Sequence, residues 1–316
     1  MFPEAKETVF IGDIHGHAPT LLALLEQLGW KKRGQRLAGP GGQKLVFVGD
    51  LIDRGPQNLR TVEIVRELVE QVDAVCLMGN HEFNAVQFHT PDPIQPGMHL
   101  RPQNDKNRLQ HQAVLDEIER RPGDWDDMLG WFRTLPLAVE GQNWRCVHAC
   151  WHEPSLRALE RQGNSWFLAE KHWLPAARRG TSEFRAVETL VKGPEAKLPD
   201  GVTFRDKEGN VRDRARLKWW EPDPQTVEEA MLFQSPPGGL DPDTPYRNSE
   251  HSGYPASAVP VFFGHYWNSG EVRPERPNAA CLDYSIGKGD RLAAYRFRGE
   301  AELRREGFML QTSVRD

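Results

Sequence analysis

Three times before residue 90 the chain runs a short apolar stretch into a glycine and then into a polar side chain of ligand type. Thr8–Ile11 leads to Gly12-Asp13, Leu45–Val48 to Gly49-Asp50, and Ala74–Met78 to Gly79-Asn80. Between the runs lie amphipathic segments. Leu21, Leu24, Leu25 and Leu28 share one helical face behind Pro19, and Leu59, Val62, Val65 and Val69 share another. Pro19 suits a first helical turn, where its missing N–H is no loss. Strand, loop and helix in repeated succession indicate an α/β sheet. Ligands in such sheets bind just beyond the carboxyl ends of the strands, which is where these polar residues fall.

The central run, Leu45–Gly55, carries two carboxylates and a guanidinium in one short loop: Asp50, Asp53 and Arg54. That set suits a cation held beside an anion such as phosphate. Two later apolar runs end alike, Trp144–Val147 at His148 and Val259–Phe263 at Gly264-His265. Five strand ends therefore offer ligands: Asp13 with His15, Asp50 with Asp53, Asn80 with His81, His148, and His265. One histidine after a strand is ordinarily structural. Five such ends, on neighbouring strands of one sheet, would converge on one edge. Imidazole with carboxylate and amide oxygen suits two divalent transition metals, and manganese, iron, zinc or cobalt fits better than calcium or magnesium alone. Cysteine is missing from the set, which argues against a structural zinc site. Two carboxylates leave a pair of divalent ions net positive, able to attract a phosphate dianion and acidify a bound water.

The rest of the sequence bounds the setting. Its 316 residues suit two domains, or one with a large insertion, and 38% apolar with 27% charged residues fits a protein with a real core. A net charge of −5 gives no sign of a general nucleic-acid binder, and no stable nucleic-acid partner is expected. No apolar run approaches the roughly 20 residues that span a bilayer. The N-terminus lacks a signal-peptide pattern, and four scattered cysteines read as reduced residues of a cytoplasmic protein. Residues 1–150 plus 256–316 read as the core and 151–255 as an inserted cap with its return loop. Within the cap, Ser155–Trp220 has 14 Lys/Arg against 9 Asp/Glu, a net of +5, and Glu221–Pro255 has 1 against 7, a net of −6. Val202–Arg205 and Val211–Arg214 around Glu208-Gly209-Asn210 read as a hairpin. Phe88–Gln110 reads as a loop over the site, with helices near Gln112–Arg120 and Trp125–Thr134.

The motifs Gly12-Asp13-Ile14-His15-Gly16, Gly49–Gly55 and Gly79-Asn80-His81-Glu82, followed by His148 and Gly264-His265, resemble the phosphoprotein phosphatase branch of the metallophosphoesterase superfamily. The order is that of the family. The resemblance covers roughly residues 8–150 and 258–298 and leaves the cap out. It implies a four-layer α/β/β/α metallophosphoesterase sandwich carrying an inserted cap. It also implies that Asp13, His15 and Asp50 hold one metal, with Asp50 bridging to a second completed by Asn80, His148 and His265. Arg54 would bind a phosphate oxygen, and His81, oriented by Asp53, would be the general acid. The attacking group would be a hydroxide activated by the two metals. Manganese is the expected metal, with iron, zinc, cobalt and nickel as alternatives.

Two departures point within the family. His148-Ala149-Cys150 stands where protein phosphatases have His-Gly-Gly, and Tyr266-Trp267 follows His265. Both are closer to the bacterial symmetrical diadenosine tetraphosphate hydrolases. The leading expectation is a metal-dependent phosphatase whose substrate is a phosphorylated small molecule, nucleotide or phosphoprotein. The alternatives are a dinucleoside polyphosphate or nucleotide-cap hydrolase and, outside enzymes, a phosphate- or nucleic-acid-binding protein. Arg178, Arg179 and Arg185 are candidates for a second phosphate contact. His17, His89, His99, His111, His152, His172 and His251 belong to no motif, and the Trp219-Trp220 pair reads as packing.

Overall fold

The computed structural model describes residues 5–34, 36–71, 74–161, 163, 166–205, 211–233, 237–247 and 253–314. Two compact units result, Met1–Val191 with Val259–Asp316, and Lys192–Ala258. The larger opens with β1 (Glu7–Ile11), α1 (Ala18–Gln27), a hairpin of β2 (Lys31–Arg33) and β3 (Arg36–Ala38), β4 (Gln43–Phe47), α2 (Asn58–Gln71) and β5 (Ala74–Cys76). It continues through α3 (Asn80–His89), α4 (Asp105–Arg120), α5 (Pro122–Phe132), β6 (Ala138–Glu140), β7 (Arg145–Val147), α6 (Glu153–Arg161), α7 (Trp173–Ala176) and α8 (Ser182–Lys192). The smaller unit has β8 (Glu195–Lys197), β9 (Phe204–Arg205), β10 (Val211–Arg212), β11 (Arg214–Arg216) and α9 (Val227–Ala230). The chain then returns with β12 (Val261–Phe263), β13 (Ala279–Cys281), β14 (Arg291–Phe297) and β15 (Phe308–Thr312).

The ligand-bearing strand ends are divided between two sheets. The first has the order β15-β14-β1-β4-β5, with β1, β4 and β5 parallel and β14 antiparallel to both of its neighbours. The second has the order β13-β12-β7-β6, with β12 parallel to β13 and β7. Both sheets feed one apolar core. Phe10, Val46, Val48 and Leu77 of the first meet Cys146, Phe262, Ala280 and Leu282 of the second. Phe10 stacks on Phe262 with centroids 3.7 Å apart. This face-to-face pair of sheets makes the fold a mixed α/β sandwich. Helices α1 and α2 pack on the first sheet, and α1 buries Leu21, Leu24 and Leu25.

Two elements depart from the sequence expectation. The span expected to be a loop over the site is helical at both ends, because α3 runs to His89 and α4 starts at Asp105. Asn104 caps α4, its side-chain oxygen accepting from Asn107 N–H at 3.0 Å. The first turns of α4 are polar apart from Leu109, which is itself 76% exposed, so no apolar periodicity announced them. The units also divide differently from the expected 151–255 insertion. Residues 151–191 belong to the larger unit, where Ala149 N–H donates to Leu190 O at 2.9 Å.

The smaller unit has its own core of Ala196, Leu198, Ala215, Leu217, Val227, Ala230 and Met231. β11 pairs antiparallel with β8, and β9 with β10, while the turn residues 206–210 of the expected hairpin lie outside the described residues. Trp219 and Trp220 are buried, Trp219 against Tyr254. Among the described residues no helix is long and apolar enough to cross a membrane.

Candidate metal centre

The loops after β1 and β4 are laced together. The Asp50 carbonyl accepts Ile14 N–H and His15 N–H at 3.0 and 2.9 Å, and Leu51 O accepts Gly16 N–H at 2.7 Å. Glu82 on α3 joins them to the third strand end. Its carboxylate accepts Asp50 N–H, Leu51 N–H and Gly79 N–H at 2.8, 2.8 and 3.0 Å. Burial and the neighbouring Asp50 push Glu82 up to about 7. Asp50 lies at the start of α3, where Oδ1 accepts His81 N–H at 2.9 Å. The positive end of a helix favours a carboxylate there.

This tight lacing holds unusual backbone. His15, Asp50, Asp53, Arg54, His265, Trp267 and Ser285 all have positive φ, from 48° to 73°. Such conformations cost L-residues about 1–3 kcal/mol each and persist only where surroundings over-determine them. Among the described non-glycine residues only Trp166 joins them from elsewhere. Backbone strain therefore concentrates at these loops.

Two imidazoles are oriented in the same way. His15 Nδ1 lies 2.8 Å from Ile52 O, and His148 Nδ1 lies 2.8 Å from Val48 O. A carbonyl can only accept, so each Nδ1 carries the hydrogen and Nε2 is left to face the site. His148 Nε2 is 3.4 Å from Asp50 Oδ1 and 3.2 Å from Asn80 Oδ1. Three electron-pair donors drawn together need a proton or a cation among them. That demand acts on His148. Burial alone would lower it, but the Asp50 carboxylate outweighs burial and pushes it up to about 10. His15 goes the other way, held well below the ordinary histidine range by burial and by the Arg54 guanidinium.

The donor set fits divalent ions. Ligand atoms of His15, Asp50 and His81 lie within 4.8 Å of one another, as do those of Asp50, His148 and His265, and Asp50 belongs to both groups. Asp13 is fully buried and accepts His265 N–H at 3.1 Å. Burial, Asp283 and Asp50 all raise its carboxyl well above the usual range. Buried carboxylates crowded in this way call for a counter-cation. Space is kept for them by glycine. A Cβ at Gly79 would strike Asp50 Oδ1, and one at Gly264 would strike Asp13 Oδ1.

The model of the calcineurin-like phosphoesterases matches residues 7–266. The chain belongs to this family. Its members are metal-dependent phosphoester hydrolases, and this chain is therefore a phosphoesterase. The symmetrical bis(5'-nucleosyl)-tetraphosphatase of Aromatoleum aromaticum is 27% identical over 292 residues, covering 90% of this chain and 92% of that protein. The asymmetrical bis(5'-nucleosyl)-tetraphosphatase PrpE of a Geobacillus species is 49% identical over 71 residues, 22% of this chain and 29% of that protein. In fold, the phosphoesterase is similar to a protein serine/threonine phosphatase from Saccharomyces cerevisiae, with a TM-score of 0.50 at 13% identity over 98% of this chain and 80% of that one.

The remaining site residues cluster beside the donor set. His81 Nδ1 lies 2.5 Å from Asp53 Oδ2. The exposed Arg54 reaches His15 Nε2 at 3.0 Å and His81 Nε2 at 3.4 Å, with its guanidinium 3.9 Å over the Trp267 ring. Of the other arginines considered, Arg178 is paired with the buried Asp92, and Arg185 donates to Gly180 O. The sequence reading passed over four residues here. Asp283 follows the apolar run Ala279–Leu282 just as Asp13 and Asp50 follow theirs, a signal that could have found it. It accepts Trp267 N–H and Ser285 N–H at 2.9 and 3.0 Å. Glu82 stood inside a motif without a role. Trp267 carries no role in the sequence beyond its place after His265-Tyr266. His111, with Nδ1 2.7 Å from Asp53 Oδ1, had no sequence signal.

Proposed function

We propose that this phosphoesterase is a two-metal hydrolase that splits a phosphoanhydride bond of dinucleoside polyphosphates such as diadenosine tetraphosphate. The observation that carries the substrate class is the chain-long likeness to the symmetrical tetraphosphatase. In this reading Asp13, His15 and Asp50 hold one ion, and Asp50, Asn80, His148 and His265 hold the other. Manganese is the proposed ion at both positions. Such ions supply a water acidic enough to be a nucleophile at neutral pH and positive charge for the phosphoryl oxygens.

The chain's own residues do the rest. Arg54 holds a phosphoryl oxygen through its planar fork. His81 gives a proton to the departing oxygen from Nε2, while Asp53 accepts its Nδ1–H and fixes the ring. The free, buried thiols of Cys76, Cys146, Cys150 and Cys281 support a reducing, cytoplasmic setting.

The test compares kcat/KM on diadenosine tetraphosphate and on p-nitrophenyl phosphate with manganese-loaded protein. The tetraphosphate should be preferred, and symmetrical cleavage should leave ADP as its only nucleotide product. A preference for the monoester would replace this reading with a general phosphomonoesterase. Tight binding without turnover in the metal-loaded protein would favour a binding protein.

A further inference from the structure

His111 lies on α4, in no motif, and is 5% exposed. It nevertheless meets the catalytic loop. Asp53 uses both oxygens on imidazoles, Oδ2 toward His81 Nδ1 at 2.5 Å and Oδ1 toward His111 Nδ1 at 2.7 Å. Behind His111 stands His89, the last residue of α3, with the two Nε2 atoms 3.2 Å apart. The two rings sit among Phe88 and Trp125, at centroid distances of 5.2 to 5.9 Å.

We propose that His111 is a positioning residue for the reaction: it pins Asp53 so that Asp53 in turn holds His81, in a hydrogen-bonded chain His81–Asp53–His111–His89. The proposal rests on the reading of His81 as proton donor and adds to it a group outside the family motifs. Hydrogen bookkeeping supports the chain. Asp53 is held well below the usual carboxylate range, burial opposing and the two imidazoles outweighing it, so it accepts only. His111 Nδ1 must then carry the hydrogen. At the far end, the Nε2 atoms of His111 and His89 share one hydrogen across 3.2 Å. Burial, and then the neighbouring His111 and His99, bring His89 down to about 4, which keeps His89 neutral.

Geometry gives the chain its purpose. Asp53 sits at φ 70° on a strained loop, and a carboxylate with one partner can turn about its last side-chain bond. With an imidazole N–H on each oxygen, turning breaks a buried hydrogen bond. If packing were the only need, an apolar residue would fill an aromatic pocket without burying polar nitrogens.

The test uses full-length protein with His81→Ala, His111→Ala and His111→Asn, the last placing an amide N–H near the lost Nδ1–H. His111→Ala should keep its metal content and KM. It should lose about tenfold in kcat on an alkyl phosphate and change little on p-nitrophenyl phosphate, and His111→Asn should recover most of the loss. In zinc-loaded protein, which is diamagnetic, the downfield proton NMR signal that vanishes in His81→Ala reports the His81–Asp53 bond. It should move in His111→Ala and return in His111→Asn. An unmoved signal together with equal losses on both substrates overturns the proposal. A moved signal in a protein whose His81→Ala form shows no leaving-group dependence would keep His111 as the anchor of Asp53 and instead overturn His81 as the acid.

Discussion

Asp50 Oδ1 accepts the backbone N–H of His81 at 2.9 Å, so the carboxylate proposed to bridge two metals also caps the helix that carries the proposed acid. The two roles can be separated. Asp50→Asn keeps an accepting oxygen for His81 but removes the negative charge. Loss of an outer partner alone costs about 10–100-fold in such sites, and loss of a bridging ligand should exceed that. We expect the variant to fold and to lose both metal and more than about 100-fold of activity. Chelator should abolish wild-type activity, and manganese should restore it. Undiminished turnover by metal-free Asp50→Asn protein would sink the two-metal mechanism.

Gly264→Ala changes no charge and tests the crowding around Asp13. The added Cβ would run into Asp13 Oδ1 and come within 2.9 Å of Val48 Cγ2. Asp13 must then move, and metal affinity should fall by about tenfold or more with circular dichroism unchanged. Wild-type affinity measured by metal titration would show that Asp13 is not a ligand.

These loops also mark what the sequence could and could not convey. Asp13, Asp50, Asn80, His148 and His265 were legible because each ends an apolar run, and strand ends are read one at a time. That they come from two sheets was not legible from residue patterns, since parallel runs look alike whichever sheet they join; only the family resemblance supplied it. The bounds of α3 were not legible, because the helix starts inside the Gly79–Glu82 motif itself, at Asn80. His111 was hidden for a different reason. Its partner Asp53 lies 58 residues away, and nothing local in α4 announces a contact made only in the folded chain.

Glu7 gives a pH test away from the metal site. Its carboxylate accepts from Arg296 at 2.9 Å, Arg298 at 2.8 Å and Gln43 at 2.7 Å, tying β1 to β14 and β4. Burial would raise its pKa, but Arg296, Gln43 and Arg298 outweigh burial and lower it. A depressed carboxylate stabilises the fold above its unfolded pKa, and that contribution is lost as pH falls through the folded value. Glu7→Gln should cost about 1 kcal/mol at pH 7, allowing for partial exposure. The gap from wild type in urea melts should close as pH falls through the lowered folded value. A constant gap across that range would mean the loss is packing, not charge.

His81 and Asp53 should separate substrates by leaving group. An alkoxide needs a proton as it departs, and p-nitrophenolate barely does. His81→Ala should therefore lose about 10²–10⁴-fold on alkyl phosphates and much less on p-nitrophenyl phosphate, with metals retained. A nucleoside polyphosphate leaves as a phosphate oxygen of intermediate basicity and should fall between them. Asp53→Asn should follow the same order in weaker form. Equal losses on all three substrates would assign His81 to phosphoryl binding.

Trp267 should act through Arg54. Its orientation is set by φ 54° and by the bond from its N–H to Asp283 Oδ2 at 2.9 Å. That presents a ring face to the Arg54 guanidinium at 3.9 Å, and Lys288 Nζ also lies 4.7 Å from the same ring. A cation over an indole face contributes about 0.5–2 kcal/mol. Without the ring, Arg54 keeps its charge but loses the surface that restrains it, so anion binding should weaken more than turnover. Trp267→Ala should raise KM and the inhibition constant of inorganic phosphate together, by about 3- to 30-fold, with a smaller change in kcat, and Trp267→Phe should fall between. Inorganic phosphate is the deciding probe because it has no base to stack. If its inhibition constant stays at the wild-type value while KM rises only for nucleotide substrates, Trp267 stacks a base and does not position Arg54.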